Sequence, residues 1–104
     1  MLFMLKIVVR LPGDLSAEKL AEINKRETAR SMQMVREGKL KRIFRIAGRR
    51  ANFSIWECAS PEELHATLTA MPLHPYMDIE VTPIIKHTTT EAWEKEVGDM
   101  PAFQ

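Results

Sequence analysis

The sequence has little of what secreted and membrane-spanning proteins depend on. Its single cysteine, Cys58, excludes an internal disulfide framework and is typical of a reducing compartment. No apolar run reaches the roughly 18–20 residues needed to cross a membrane. Lys6 and Arg10 interrupt the apolar N-terminal segment, and no small-residue cleavage site follows, so we expect no signal peptide. These absences predict a cytoplasmic protein with no membrane partner.

Glycine, aromatic residues and excess charge are scarce too. The 4 glycines are scattered, so the chain has neither a phosphate-binding loop nor a dinucleotide-binding fingerprint. Aromatic residues make up 7% and do not alternate with basic ones, as they would on an RNA-stacking sheet. The 3 histidines lack metal-ligand spacing, and the net charge is +1. We therefore expect no cofactor, no metal and no nucleic-acid partner.

What is present is the pattern of one soluble α+β domain. The 104 residues are 45% hydrophobic and 28% charged, which suits a single folded core. Strands are predicted at Leu2–Arg10, Leu40–Ala47, Ala51–Cys58 and Tyr76–Ile85. One helix is predicted from a cap at Asp14 or Ser16 to about Glu37, and a second from Ser60, with Ser60 as its cap, Pro61 as its first residue and Glu63 completing a capping box. The order βαββαβ predicts a ferredoxin-like fold, a four-stranded antiparallel sheet with both helices on one face.

This order divides the chain into residues 1–87, the ferredoxin-like domain, and residues 88–104, a C-terminal extension. The extension is polar, with Trp93 and Phe103 as isolated anchors, and we expect it to pack on a neighbouring subunit. The first strand is apolar on both faces, since Leu2, Met4 and Val8 lie opposite the residues of the expected core. A second apolar face indicates that another copy covers it, which predicts a homo-oligomer.

Glu27 is the most informative residue of the first helix. It lies 4 residues after Ile23 and 7 before Met34, which places it within the apolar stripe. Burial raises the pKa of a carboxylate and makes it a useful general base near neutral pH. The alternative is a glutamate at the edge of the stripe, paired with Arg30 or with a cation on a strand.

A basic run follows at residues 39–50. It contains six cations and no acid, and it covers two strand edges and a hairpin: Lys39, Lys41, Arg42, Arg45, Arg49 and Arg50. Such a cluster binds an anion, either a small carboxylate or a phosphate backbone. The alternative is a solvated edge strand, on which Lys and Arg discourage aggregation.

Asn52 is the third candidate. It alternates with apolar neighbours and shares a strand face with Ser54 and Trp56, although asparagine is a poor strand former. An amide here can donate to a ligand carbonyl and stabilise developing negative charge. The alternative is an edge position or an amide that is bonded to the backbone.

Several short motifs resemble one known family. They are Met1-Leu2-Phe3, Leu11-Pro12, Arg36-Glu37-Gly38, Arg45-Ile46-Ala47-Gly48, Ala51-Asn52 with Ser54, Leu64-His65, Thr67-Leu68, Pro72-Leu73 and, most specifically, the run from Pro75 to Val81. In this order and without gaps over residues 1–87, the chain resembles the muconolactone Δ-isomerase family of the β-ketoadipate pathway of aromatic catabolism.

The resemblance implies a cofactor-free isomerase with a ferredoxin-like subunit that assembles into a ring-like oligomer, typically a decamer. It implies that a small anionic butenolide carrying a carboxymethyl arm loses a proton from the ring carbon that bears the arm. The proton returns two carbons away, beside the lactone carbonyl. Glu27 matches the family's catalytic glutamate, and Asn52 matches a lactone-binding position.

The chain departs from the family pattern in its basic hairpin. Arg49-Arg50 stands where the family usually has a tyrosine after a histidine, Phe44 where a tryptophan is expected, and Met4 where a histidine is common. Arg50, together with Arg45, can bind a carboxylate or dienolate oxygen but cannot act as a phenolic donor. The alternatives are therefore a related enzyme for a methyl- or chloro-substituted muconolactone, or a non-catalytic ligand-binding module of the same fold.

Overall fold

A computed structural model describes residues 1–101, and in it an antiparallel sheet carries helices on one face. The elements are β1 (Leu2–Val9), α1 (Ala17–Arg36), β2 (Leu40–Arg45), β3 (Ala51–Glu57), α2 (Pro61–Thr69), a 3₁₀ turn (His74–Tyr76), β4 (Met77–Ile84) and α3 (Thr88–Glu96). The strand order is β2-β3-β1-β4. This order confirms the predicted ferredoxin-like fold.

The core lies between the sheet and the first two helices. Phe3, Leu5 and Ile7 alternate along β1 and are buried, because every second residue of a strand points to the same face. They pack in one cluster with Met34 of α1 and with Leu64 and Leu68 of α2. Burying each large apolar side chain contributes about 1.5–3 kcal/mol. Both helices therefore cover the same face of the sheet.

The ends of α1 are set by side-chain and backbone caps. Ser16, rather than Asp14, is the N-cap, and its Oγ accepts from the Lys19 N–H at 3.1 Å. At the other end Gly38 has φ of +75°, and the Lys39 N–H donates to the Met34 carbonyl at 2.9 Å. This Schellman arrangement satisfies carbonyls that the helix end leaves open. It turns the chain directly into β2.

A β-bulge in β2 decides which of its side chains face the helices. The strand pairing shifts register between Leu40 and Arg42, so that Lys41 is the extra residue. After the shift, Ile43 and Arg45 lie on the same face as Leu40, the face that packs against the helices. Strict alternation would have put Arg45 on the opposite face.

The start of α2 follows the predicted cap with one difference. Ser60 Oγ accepts from the Glu63 N–H at 3.1 Å, and Pro61 is the first helical residue. The Glu63 carboxylate accepts from the N–H of Ala59, one residue before the cap. A capping box would use the N–H of Ser60 itself. The helix still begins where the sequence predicts.

The opposite face of the sheet is left without a helix by the described residues. Phe44 and Phe53 are opposite each other there and are 45% and 40% exposed, and Met4 on the same face is 40% exposed. Leu2 and Val8 are half-buried. The second apolar face predicted for β1 is therefore real and extends over three strands.

The C-terminal segment forms a helix, α3, that the sequence analysis did not predict. His87 is its N-cap, with Nδ1 accepting from the Thr89 N–H at 3.0 Å, and none of its residues is buried. Trp93 lies on this helix, while Phe103 falls outside the described residues. Within residues 1–101, no helix is both long and apolar enough to cross a membrane.

Candidate active site

A cavity of about 670 Å³ lies between α1 and the helix-covered face of the sheet. Its apolar walls come from every layer of the fold: Val9, Met32, Val35, Leu40, Ile43, Ala51, Leu73 and Met77. Its polar groups are Asn24, Glu27, Thr28, Ser31, Arg45, Arg50 and Asn52. All four residues expected to form the site, Glu27, Asn52, Arg45 and Arg50, therefore line one cavity.

Glu27 projects from the middle of α1 and is half-buried. Burial raises the pKa of its carboxyl group, and a hydrogen bond from the Leu73 N–H, 2.8 Å from Oε1, partly offsets this rise. No ion pair joins Glu27 to Arg30 or to any other cation of the described chain. The structure thus places this carboxylate against a neutral donor, and not in the salt bridge that the sequence left open. A base with a raised pKa is suited to accept a proton from carbon.

The basic run of residues 39–50 is divided between the two faces of the sheet. Arg45 reaches the cavity because of the bulge in β2, and Arg50 is the residue before β3, just after the hairpin turn at Gly48. Arg49 instead lines a smaller depression of about 210 Å³ on the other face of the sheet, together with Lys6 and Arg10. Only the part of the run on the cavity can meet a ligand bound near Glu27.

Asn52 lies in β3, where it is opposite Arg45 of β2 on one side and opposite Ile7 of β1 on the other. Its Oδ1 is out of solvent and has no hydrogen-bond partner in residues 1–101. An unpaired buried polar atom costs about 1–3 kcal/mol, so its presence favours a functional role over a structural one. Ser54, on the same face, differs because its Oγ accepts from the Trp56 indole N–H at 2.9 Å in the core.

The sequence analysis missed three polar groups on the cavity wall. Asn24, Thr28 and Ser31 follow one another along α1 at the spacing that places them beside Glu27. That spacing is visible in the sequence and could have identified them. The fourth missed group is the Leu73 N–H, which has no side-chain signal at all.

Neither the histidines nor the cysteine add to this site. His65, His74 and His87 belong to no group of three possible metal ligands among the residues described. Burial raises the pKa of the Cys58 thiol, which keeps it protonated and a poor nucleophile. The chemical groups of the cavity are therefore those of acid–base chemistry and anion binding.

The fold and the cavity together define a class of protein. It is a small ferredoxin-like α+β protein with a carboxylate suited to proton transfer and with arginines suited to binding an anion.

Comparison with known proteins identifies the family. A family model described as muconolactone delta-isomerase matches residues 1–90. The Muconolactone Delta-isomerase of Cupriavidus pinatubonensis is 41% identical over 90 residues, which cover 86% of this chain and 98% of that protein. The chain belongs to the muconolactone Δ-isomerase family, and it is an isomerase of aromatic-compound catabolism.

Solved structures agree with this membership. A crystal structure of muconolactone isomerase has a TM-score of 0.78 and 41% identity, covering 84% of this chain and 91% of that one. The 5-chloro-2-hydroxyhydroquinone dehydrochlorinase of Burkholderia phenoliruptrix has a TM-score of 0.56 at 17% identity, covering 86% of this chain and 98% of that one. The second likeness concerns the fold alone. The family match ends at residue 90, inside α3.

Proposed function

We propose that this protein isomerises a muconolactone-type butenolide by moving one proton between two ring carbons. Glu27 is the general base and then the general acid, and Asn52 donates to the lactone carbonyl. Arg45 and Arg50 bind the anionic oxygens of the substrate. The reaction needs no cofactor, because one proton leaves the substrate and one is returned to it, with no net oxidation or reduction.

The proposed step balances within the substrate. The C–H bond on the ring carbon that bears the carboxymethyl arm breaks, its proton goes to Glu27, and its electron pair spreads to the lactone carbonyl oxygen as a dienolate. Donors and cations near that oxygen stabilise the charge as it develops. The carboxyl proton of Glu27 can exchange with solvent. Glu27 then gives a proton to the carbon beside the carbonyl, and the ring double bond is transposed.

The single observation that carries this proposal is the meeting of unlike groups around one cavity. A carboxylate with a raised pKa, an asparagine whose amide NH₂ can donate to a carbonyl, and two arginines line it from α1, β2, β3 and the residue before β3. Such a set provides the base, the carbonyl donor and the carboxylate partner that the reaction needs. The cavity of about 670 Å³ lies within the range of small-molecule sites.

We also propose that the protein works in the cytoplasm as a homo-oligomer, on the scale of a decamer. The support is the exposed apolar sheet face around Phe44, Phe53 and Met4, which a second copy would cover. Residues 88–101 of the C-terminal extension add further exposed apolar side chains. We propose that this extension packs on a neighbouring subunit.

The proposal is tested by replacing the base. Glu27→Gln keeps the size of the side chain and its acceptor for the Leu73 N–H but removes the basic oxygen. With muconolactone in D₂O, we expect kcat to fall about 10²–10⁴-fold and deuterium to stop entering the carbon beside the carbonyl. Ultraviolet absorbance measures the rate, and NMR measures deuterium incorporation.

Glu22→Gln is the matched control, because Glu22 is an exposed glutamate of the same helix that does not line the cavity. We expect this variant to keep the wild-type rate. Full activity of Glu27→Gln would overturn the assignment of the base. Turnover by the wild type of methyl- or chloro-muconolactone alone would assign it to a substituted lactone, and failure on all three would favour a binding module.

A further inference from the structure

The carboxylate of Glu27 has one polar contact with the described chain, and it comes from a backbone group far away in sequence. The Leu73 N–H donates to Oε1 at 2.8 Å, which joins residues 46 positions apart. No side chain shares this role, since no ion pair involves Glu27 in residues 1–101. Whatever fixes the orientation of the carboxylate must therefore act largely through this bond.

The loop that carries Leu73 is built to present that N–H. The side chains of Met71 and Leu73 are buried, and Pro72 between them has a fixed φ. The His74 N–H donates to the Met71 carbonyl at 2.9 Å, and the Tyr76 N–H donates to the Leu73 carbonyl at 2.9 Å. The Leu73 N–H thus points at α1 from a loop whose other N–H groups are already bonded to carbonyls. A backbone donor on an anchored loop loses no rotamer freedom when it binds.

We propose that the Leu73 N–H is the positioning group of the active site: it binds Oε1 of Glu27 and reserves Oε2 for the proton of the substrate. This inference rests on the proposed role of Glu27 as the base. Leu73 itself does not have to touch the reacting carbon. It acts through the carboxylate that it holds.

A neutral donor suits this role better than a cation. A lysine or arginine beside Glu27 would hold the carboxylate but would also lower its pKa strongly, because an opposite charge favours the ionised form. An N–H orients the group at a smaller cost in basicity. Here burial remains the larger influence on the pKa of Glu27, and the hydrogen bond the smaller one.

The test is a pair of variants that separate the N–H from the side chain. Leu73→Pro deletes the N–H, but it also disturbs the turn that the His74 N–H closes on the Met71 carbonyl, because proline at residue 73 forces Pro72 out of the α region. Leu73→Ala keeps the N–H and removes the apolar side chain. We expect Leu73→Pro to lower kcat about tenfold to a hundredfold more than Leu73→Ala does.

The pH dependence of kcat/KM distinguishes a positioning role of the Leu73 N–H from a merely structural one, because a structural role would leave the acidic limb unchanged. Loss of the hydrogen bond removes an influence that lowers the pKa of Glu27, so the acidic limb of kcat/KM should shift to higher pH in Leu73→Pro. It should stay near its wild-type position in Leu73→Ala. Equal kcat values and equal acidic limbs in the two variants would overturn the inference.

A backbone ester at residue 73 is the decisive test, because it removes the N–H without adding a proline ring to the turn. Incorporation of the α-hydroxy acid of leucine replaces the N–H by oxygen and keeps the side chain. The same loss of kcat and the same shift are expected, and a wild-type profile would overturn the inference. An active Glu27→Gln enzyme would refute the base itself, whereas an inactive Glu27→Gln with an unaltered ester variant would refute only the role of Leu73.

Discussion

At the scale of single residues, the polar side chains of the cavity differ from those of the core in that they lack ionic or hydrogen-bond partners within the described chain. Glu27 lacks a cationic partner, so its pKa is raised by burial and tempered only by one N–H. Asn52 lacks a partner for Oδ1, in contrast to Ser54, whose hydroxyl is occupied by Trp56. An incoming ligand can satisfy groups of the first kind but not of the second. This difference separates Asn52, on the cavity wall, from Ser54, in the core, on a single strand.

Arg49 and Arg50 allow a direct test of anion binding, since they are adjacent but line opposite faces of the sheet. Arg50→Gln should raise KM for the anionic lactone about tenfold to a hundredfold, because a hydrogen bond to a charged group is lost. Arg49→Gln makes the same change of charge away from the cavity and should leave KM near its wild-type value. Steady-state kinetics at constant ionic strength measures both. Equal increases in KM would show that only the overall charge matters.

Among the elements, the strands and the first two helices could be predicted because their signals are local. Alternation along β1 and the caps Ser16 and Ser60 depend on neighbouring residues only. The bulge at Lys41 could not be predicted, because an extra residue becomes visible only when β2 is paired with β3. The helix α3 was missed because its sequence has no apolar stripe to bury.

The same distinction applies to the site. The places of Glu27 and Asn52 on the cavity wall could be predicted because each residue type is unusual at its position, a carboxylate in an apolar stripe and an asparagine in a strand. The orientation of Arg45 depends on the bulge, and the donor on Leu73 belongs to the backbone. Both depend on tertiary structure, and no residue type in the sequence indicates them.

The junction between α1 and β2 leads to a prediction of stability. Gly38 has φ of +75°, a conformation that strains any residue with a Cβ, whereas Gly13 has no positive φ and no atom within 4 Å of an added Cβ. Gly38→Ala should lower the free energy of unfolding by about 1 kcal/mol or more. Gly13→Ala should leave it unchanged or raise it slightly. Urea unfolding measures both, and equal midpoints would contradict the assignment of strain to Gly38.

The molecule as a whole is longer than its core requires. Its extents are 54 × 30 × 23 Å and its radius of gyration is 15.8 Å, against about 13 Å for a compact chain of 100 residues. The C-terminal extension carries exposed apolar side chains at Trp93, Val97 and Met100. The C-terminal extension adds little stability to an isolated subunit, since none of the residues of α3 is buried. Packing on a neighbouring copy would bury these side chains and stabilise the assembly.

Ending the chain after His87 tests this interpretation. Because the core contains no residue of α3, the shortened protein should fold with a thermal midpoint close to that of the full chain. Its assembly should be smaller or should dissociate at higher concentration, because contacts between copies are lost. Light scattering after size exclusion measures the mass. An unchanged mass and an unchanged dissociation constant would show that the C-terminal extension does not hold the subunits together.

The proposed base and the cations of the cavity belong to different elements. Glu27 is fixed by α1 and by the loop before β4, whereas Arg45 and Arg50 stand on β2 and just before β3, on either side of the hairpin turn. A mutation in that hairpin can change which anion fits without disturbing the carboxylate that moves the proton. After a gene duplication, one copy could therefore diverge towards a new lactone by drift in a single short segment. Its descendants would inherit the proton transfer intact.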